Sequence, residues 1–517
     1  MKPQAEEGNM ALQHLDTGDN SNIDLGDIQG DILIGLQKDA QVFVFFKIDD
    51  IPTFKKKLTA LRPLITSTKT VIDRERQIGD AKAASNHSRL PLFGCNVGFT
   101  YPGLGKLMGN PNFGDAAPTL DPSFKGGAKA SAATLKDDTS VWKVPFTNGS
   151  IDGVFLVTGP GLAGTRAHAD AIIAELDDTV TILYDEHGQT RPQRGHEHFG
   201  FLDGVSQPGV RGLTKRENPL DKEQGLPGQD LIHPGEFVFG YPGQVPPVAG
   251  GGITKETIGD IVAPPFPWML NGSYMVFRRL EQKVLTFRDF VETEAATLQM
   301  DSGMLAARMV GRWPSGAPLS LAPLQDDPAL GGDKMANNDF EFEQDPFQRR
   351  CPYAAHIRKT YPRDDLNDAP GIPALAGEGG EASVQTRRLR RAGIPFGPEV
   401  SDDDTLGAEQ SRGLMFVCYQ TSIVEQFEFV QQSWANNPDF VFGKVRPGPG
   451  GVAVHPGHDP IIGQAGGPRH MDEPIPNYPI GSKHKTMDIP QQFIISTAAG
   501  YFFMPSLNAL LSGPLVS

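Results

Sequence analysis

The chain is expected to fold as α+β, with two ferredoxin-like units in one compact body. Three observations predict this. The first half alternates strand-like and helix-like runs in the order β-α-β-β-α-β. The second half repeats much of that order. Between them, residues 214–250 are rich in Pro and Gly and read as a join.

Residues 1–22 read as a disordered tail, polar and without an apolar signal core. Asp27–Leu33 leads into Gln41–Phe46, a strand by its β-branched and aromatic content. Pro52 opens a helix in which Phe54, Leu58, Leu61 and Leu64 keep helical spacing. A second strand lies within Leu90–Thr100, and Gly103–Met108 forms a short element after it. A Gly/Ala/Lys-rich insert follows around Pro122–Ala133. Val154–Val157 is the third strand, Ala163–Leu176 a helix and Thr179–Tyr184 the fourth strand. In the second half, Tyr274–Arg279 is a strand running into a helix near Glu281–Thr297. Gly413–Gln420 is a strand, Ser422–Trp434 a helix, and Phe493–Thr497 and Tyr501–Met504 are two final strand pieces. Arg312–Ser411 reads as a long irregular segment, of the kind that usually carries function. The expected division is a tail (1–22), a first unit (23–213), the join (214–250) and a second unit (251–517).

Composition excludes several classes. The 517 residues carry a formal net charge of -15, which argues against a nucleic-acid surface. Cys95, Cys351 and Cys418 are too few and too far apart for a disulfide framework or a zinc site. No apolar run approaches the roughly 18 residues of a membrane helix. Asn86, Asn148 and Asn271 open glycosylation-type triplets, which also arise by chance.

The stretch His196–Pro208 sets Asp203 between glycines and aromatics. Locally, Asp203 is either a Gly-Asp-Gly surface turn or an acid partly desolvated by apolar neighbours, hence a proton shuttle. Far along the chain, Cys351–Arg363 contains His356 in a short helical piece. Pro352 suits its first position and Pro362 limits its end. A lone histidine there is more often structural than a ligand. The arginine run Arg387–Arg391 passes straight into Gly393-Ile-Pro-Phe-Gly397, an apolar turn, which points Arg391 inward. Leu414 and Phe416 share one strand face. Asp459 precedes Pro460 and an apolar run, either as a surface Asp-Pro turn or as a buried carboxylate.

Taken together these motifs are recognisable. From about Asp27 to Leu507 the chain resembles the dye-decolorising peroxidases, the long fungal-type members in particular. The resemblance rests on Gly200-Phe-Leu-Asp-Gly204, Gly195–Gly200, Gly311–Pro318, Cys351–Arg363, Arg391–Gly397 and Asp459–Gly463, in that order. It implies a pair of ferredoxin-like domains of the dimeric α+β barrel type. One haem b per chain would be held mainly by the C-terminal half.

The resemblance gives each matching residue a role. His356 would be the axial iron ligand, and Asp459 would accept its second N–H. Asp203 would move a proton between the oxygens of hydrogen peroxide, and Arg391 would stabilise the developing negative charge. Leu414 and Phe416 would form an apolar wall. Gly204 and Gln207 would contact the cofactor. The glycines around Asp203 would serve as space against a flat haem face more than as a turn. Trp434 matches a radical-forming tryptophan that passes electrons from the surface, the alternative being a core tryptophan. Phe396 stands where the family often has Tyr, which puts a route through that position in doubt. The implied partners are hydrogen peroxide and aromatic donors such as dyes and phenols, with no nucleic acid and no membrane. The resemblance also implies an extracellular enzyme, while the lack of a signal core leaves two readings, a mature form or a cytosolic protein. A carboxylate base in place of a histidine predicts an acidic optimum, roughly pH 3–5. Two alternatives are a haem-binding or storage protein of the same fold, and a non-haem metal hydrolase built on His196, His198 and Asp203.

Overall fold

The structure, a computed structural model, describes residues 22–83, 90–245, 254–366, 380–441, 446–447, 453–472 and 486–517. The tail expected at 1–22 lies almost wholly outside them, as do Asn86 and the end of the 214–250 join.

Strand β1 (Ala40–Ile48) is apolar on both faces and almost wholly buried. A strand covered on both sides reads as a continuous apolar run rather than an alternation. Helix α1 (Ile51–Leu61) starts where the Asp50 side chain accepts from Thr53 N at 3.2 Å. It buries Phe54, Leu58 and Leu61. Leu64, expected on that face, is 44% exposed. Pro63 ends the α-helical pattern, and Leu64 falls in a tighter turn at Arg62–Leu64. Strands β2 (Gly94–Phe99) and β3 (Gly153–Gly159), helix α2 (Leu162–Leu176) and strand β4 (Val180–Gln189) complete the first unit. A helix at Thr68–Ala83, unforeseen in the sequence, precedes β2. The insert at 122–133 is two short helices, Pro122–Gly126 and Ala128–Leu135.

The second unit holds β5 (Ser273–Gln282), α3 (Val284–Leu298), the short helix α4 (His356–Thr360), the strand pieces β6 (Arg390–Arg391) and β7 (Ile394–Phe396), β8 (Gly413–Gln420) and β9 (Ile494–Met504). Two corrections to the sequence reading follow. The apolar Gly-Ile-Pro-Phe-Gly run is an edge strand rather than a turn, with Ile394 to Phe396 paired to Met415 to Gly413. Proline is tolerated there because an edge strand leaves one side without a ladder partner. The two final strand pieces are one strand, with an irregularity between Ser496 and Ala498. The helix after β8 winds in wide, π-type turns over Ile423–Glu428 and Val430–Ala435.

Within the first unit the strand order is β2-β3-β1-β4, and within the second β6/β7-β8-β5-β9, all antiparallel. This is the ferredoxin-like pattern twice over. The units share one nine-stranded sheet because β9 pairs with β2 at Phe503 and Phe99. The outer strands also approach each other. A Cβ on Gly188 of β4 would lie 2.5 Å from Pro395 O of β7, so only glycine permits this closeness. The curved sheet packs Phe43 and Phe45 of β1 against Phe277 of β5, at 5.2 and 5.0 Å between ring centroids. All three rings are fully buried, each contributing about 1.5–3 kcal/mol of transfer free energy. The sheet core fixes β8 and β5, whose other faces line the site.

Candidate active site

One mostly apolar cavity of about 270 Å³ is lined by Asp203, Gly204, His356, Arg391, Leu414, Phe416 and Trp434. Residues from both units and from chain positions more than 200 apart therefore meet at one place.

His356 is the first residue of α4, after the fully buried Ala354 and Ala355. Pro352, expected at the first helical position, lies four residues earlier in a turn. The helix ends at Thr360, where Tyr361 turns extended before Pro362. His356 Nδ1 lies 2.7 Å from Asp459 Oδ2. Asp459 is fully buried, so the surface-turn alternative fails. Its other oxygen accepts from Ile461 N at 2.8 Å and Ile462 N at 3.0 Å. The carboxylate is thus oriented by the backbone that follows it. Burial opposes charge on His356, but the Asp459 carboxylate outweighs it and raises the imidazole pKa above its ordinary value. With Nδ1 committed to Asp459, the ring keeps 26% of its side-chain surface on the cavity it lines.

Asp203 sits on the loop after β4. Asp203 N donates to Gly195 O at 2.8 Å, and Leu202 N to Pro314 O at 3.2 Å. Glu197 organises the loop. Its carboxylate accepts from Phe199 N and Phe201 N, both at 2.8 Å, and from Gln282 Nε2 of β5. Burial raises the Glu197 pKa. Gly200 has φ +102° and Gly204 φ +76°, in the region that favours glycine. A Cβ on Gly200 would meet nothing within 4 Å. At Gly200 the backbone conformation by itself is a reason for glycine. The Asp203 side chain is 41% exposed, on a loop that presents it to the cavity.

Arg391 Nη1 lies 3.5 Å from Asp203 Oδ1, and Nη2 donates to Ser206 O at 3.0 Å. Gln207 does not line the cavity. Its side chain donates to Arg391 O at 2.6 Å and accepts from Arg391 N at 3.3 Å, which makes it a brace for Arg391. Leu414 and Phe416 of β8 face the cavity while Met415 and Val417, between and beyond them, are buried in the sheet core. Of the two settings open to Trp434, the structure gives the core one. It is 3% exposed, with its ring stacked on Phe440 at 5.1 Å and edge-on to Phe429.

The hydrolase alternative finds no support. His196 Nδ1 is taken by Arg194 O and His198 Nε2 by Phe396 O, both at 2.9 Å. Burial pushes the His198 pKa down to about 4. Among the described residues no group of three or more His, Cys, Asp or Glu side chains is placed to hold a metal ion.

The cavity also receives residues without a role in the sequence reading: Arg278, Arg312, Arg363, Arg388 and Tyr361. Arg278 Nη2 pairs with the buried Asp137 carboxylate, while its Nε and Nη1 are buried without a hydrogen-bond partner. Burial pushes the Arg312 guanidinium down to about 9, although Gly316 O, Asn337 O and Asn338 Oδ1 accept its protons. A cationic, apolar pocket of this kind suits a flat apolar ligand with anionic groups. Sequence offered one sign of it, the Arg312 motif, but not which arginines point inward.

Comparison with known proteins agrees with this architecture. Residues 27–192 match the model of the DyP dimeric alpha+beta barrel domain. The chain is 35% identical to a dye-decolorizing peroxidase of Mycena epipterygia, over 96% of this chain and 88% of that protein. Among solved structures, an ancestral D-type dye decolorizing peroxidase is 37% identical, with a TM-score of 0.78 over 96% of this chain and 100% of that one. A dye-decolorizing peroxidase in complex with 2,6-dimethoxyphenol is 34% identical, with a TM-score of 0.73 over 95% and 100%. The chain belongs to the dye-decolorising peroxidase family. It is a peroxidase, which leaves the storage alternative without support. No helix among the described residues is long and apolar enough to cross a membrane.

Proposed function

We propose that the cavity binds one haem b, and that the protein reduces hydrogen peroxide at the expense of aromatic donors such as dyes and phenols. The observation that carries this reading is His356, presented to the cavity with Nδ1 fixed 2.7 Å from a buried carboxylate, in the same cavity as Asp203 and Arg391. The lining fits the cofactor. The walls are apolar, the imidazole edge faces the cavity, and the unpartnered guanidinium nitrogens of Arg278 suit an anionic side group. Most of these residues come from the C-terminal half, while the first unit contributes the loop that carries Asp203, with Phe199, Phe201, Leu202 and Gly204 among its lining residues.

When bound, haem supplies the iron and the electrons that cleave the peroxide O–O bond. Asp459 keeps the proton on His356 Nδ1, so Nε2 is left as a strong electron-pair donor toward the metal. Asp203 takes the proton from one peroxide oxygen and delivers it to the other, so that water leaves. Arg391, held by Ser206 O and Gln207, stabilises the negative charge that grows as the bond breaks. A positioned donor of this type is worth roughly 2.7–4 kcal/mol. Leu414 and Phe416 limit water at the reacting oxygens.

The proton carrier must be ionised to accept a proton. An aspartate titrates near 3.9 and a histidine near 6.5, so a carboxylate shuttle works in acid that would block an imidazole. The phenol complex of a 34% identical relative supports phenolic donors here. Donors too bulky for the cavity would be served through Trp434 and its stacked Phe440. We further propose an extracellular location, on the family resemblance. Peroxidase activity in culture medium, against cell extract, checks it. The experiment for the main reading is the absorption spectrum of the purified protein. A Soret band that disappears in His356→Ala is expected, and its absence in the haem-supplied wild type would overturn it.

A further inference from the structure

Tyr361 is the one tyrosine lining the cavity among the described residues. It ends the helix that begins with His356. Its phenol donates a hydrogen bond to Asp230 Oδ2, a carboxylate only 2% exposed that comes from the segment between the two units. Gln385 Nε2 also donates to that oxygen, at 3.1 Å. Lys255 Nζ binds Asp230 Oδ1 at 2.9 Å and pairs with Glu381 as well. Two guanidinium groups lie over the tyrosine ring, Arg388 at 3.5 Å and Arg363 at 5.0 Å from its centroid.

This arrangement has a chemical consequence. A phenol is hard to oxidise while it keeps its proton, because a radical cation must form. Here two cations stand over the ring and make that charge still less favourable. A carboxylate sits on the hydroxyl and can take the proton as the electron leaves. Removal of the two together leaves a neutral phenoxyl and a neutral acid. Protonation of Asp230 does not strand Lys255, which keeps Glu381 as its partner. Phe396 has no hydroxyl to do this chemistry, and its ring is instead covered by Arg279 at 4.0 Å.

We infer that Tyr361 and Asp230 form a proton-coupled redox pair, in which the peroxide-oxidised enzyme draws one electron from Tyr361. The inference rests on the peroxidase reading above, since peroxide is the oxidant. In the step the Tyr361 O–H bond breaks, the proton moves to Asp230 Oδ2, and the electron leaves toward the cavity. An aromatic donor then gives an electron to the phenoxyl, Asp230 returns the proton, and the donor's own proton goes to the water formed from peroxide. Over two turns one H₂O₂ becomes two waters and two donor molecules lose one electron and one proton each.

The test is freeze-quench electron paramagnetic resonance of the haem-loaded protein after peroxide addition, with ring-deuterated tyrosine incorporated to identify a tyrosyl signal by its narrowing. A tyrosyl signal is expected in the wild type and at least tenfold less of it in Tyr361→Phe. That variant removes one hydrogen bond and leaves the ring packing. Asp230→Asn, which keeps the phenol but removes the proton acceptor, is expected to form the signal at least tenfold more slowly. The inference is overturned if peroxide changes the Soret band yet the tyrosyl signal is absent from the wild type or undiminished in Tyr361→Phe. If peroxide leaves the wild-type Soret band unchanged, the peroxidase reading itself fails, and the inference with it.

Discussion

Asp459→Asn is the sharpest perturbation of His356, the proposed iron ligand, because it changes charge at nearly constant shape. In the native chain Asp459 accepts three hydrogen bonds, from His356 Nδ1 at 2.7 Å, Ile461 N at 2.8 Å and Ile462 N at 3.0 Å. Asparagine has one oxygen to share between two sides. If its oxygen stays on the backbone donors, its NH₂ faces the His356 N–H. If it flips, the NH₂ faces two backbone N–H groups. Either way donor meets donor in a site with no exposed surface on the carboxylate. A hydrogen bond to a charged group is worth about 1.5–3 kcal/mol, which is roughly 10- to 150-fold in an equilibrium constant. The loss of a group that orients a metal-binding histidine typically costs 10–100-fold. Titration of haem into the apo-protein should therefore show a Kd about 10–100-fold weaker in Asp459→Asn. The sign of the pH effect follows from the raised pKa of His356. Protonation of His356 stabilises the apo-fold fully below the ordinary histidine range, near 6.5. That contribution is lost as pH rises through the raised folded value. The Tm gap between wild-type and Asp459→Asn apo-protein should be wider at pH 5 than at pH 9. Unchanged haem affinity together with a pH-independent Tm gap would refute the reasoning.

Other perturbations follow from the same geometry. Asp365→Ala should lower the unfolding free energy by about 3–5 kcal/mol in denaturant titrations. It removes the main partner of Arg358, which is fully buried, bound to Asp365 at 2.6 and 2.7 Å, and two residues from His356, and as a carboxylate partner leaves it only the more distant Asp345 at 3.5 Å. Dye oxidation should peak at roughly pH 3–5; a steady-state rate that climbs steadily to pH 7 would exclude a carboxylate shuttle. Trp434→Phe should slow turnover of bulky dyes more than of small phenols. Equal slowing of both, or none, would remove Trp434 from the electron path.

Much of the fold was legible because its strands declare themselves. Gln41–Phe46 is a nearly continuous β-branched and aromatic run, the trace of a strand buried on both faces, and Gly413–Gln420 is an apolar run of similar length. The edge strand Ile394–Phe396 was not legible, since Pro395 between glycines carries turn chemistry and only pairing with β8 makes it extended. The helix at Thr68–Ala83 was hidden by its many charged side chains, which weaken the apolar period. At the site, the motifs carried Asp203, His356, Arg391 and Asp459 to one place although no local pattern relates them. What stayed open concerns environment rather than identity. Sequence has no measure of exposure, so it left Asp203 and Trp434 each between two settings, and it did not show that Gln207 braces Arg391. Tyr361 and Asp230 escaped notice because their partnership spans 131 residues and exists only in three dimensions.

The central claim is that Asp203 moves the peroxide proton in a cavity where His356 holds the iron. Stopped-flow measurement of the reaction between hydrogen peroxide and haem-loaded Asp203→Asn tests it most directly. The variant should keep the wild-type Soret band, since Asp203 does not hold the iron. Its second-order rate constant with peroxide should fall by about 10²–10⁴-fold, the usual contribution of a positioned proton carrier. A rate constant within a few-fold of wild type, with the Soret band intact, would contradict the account.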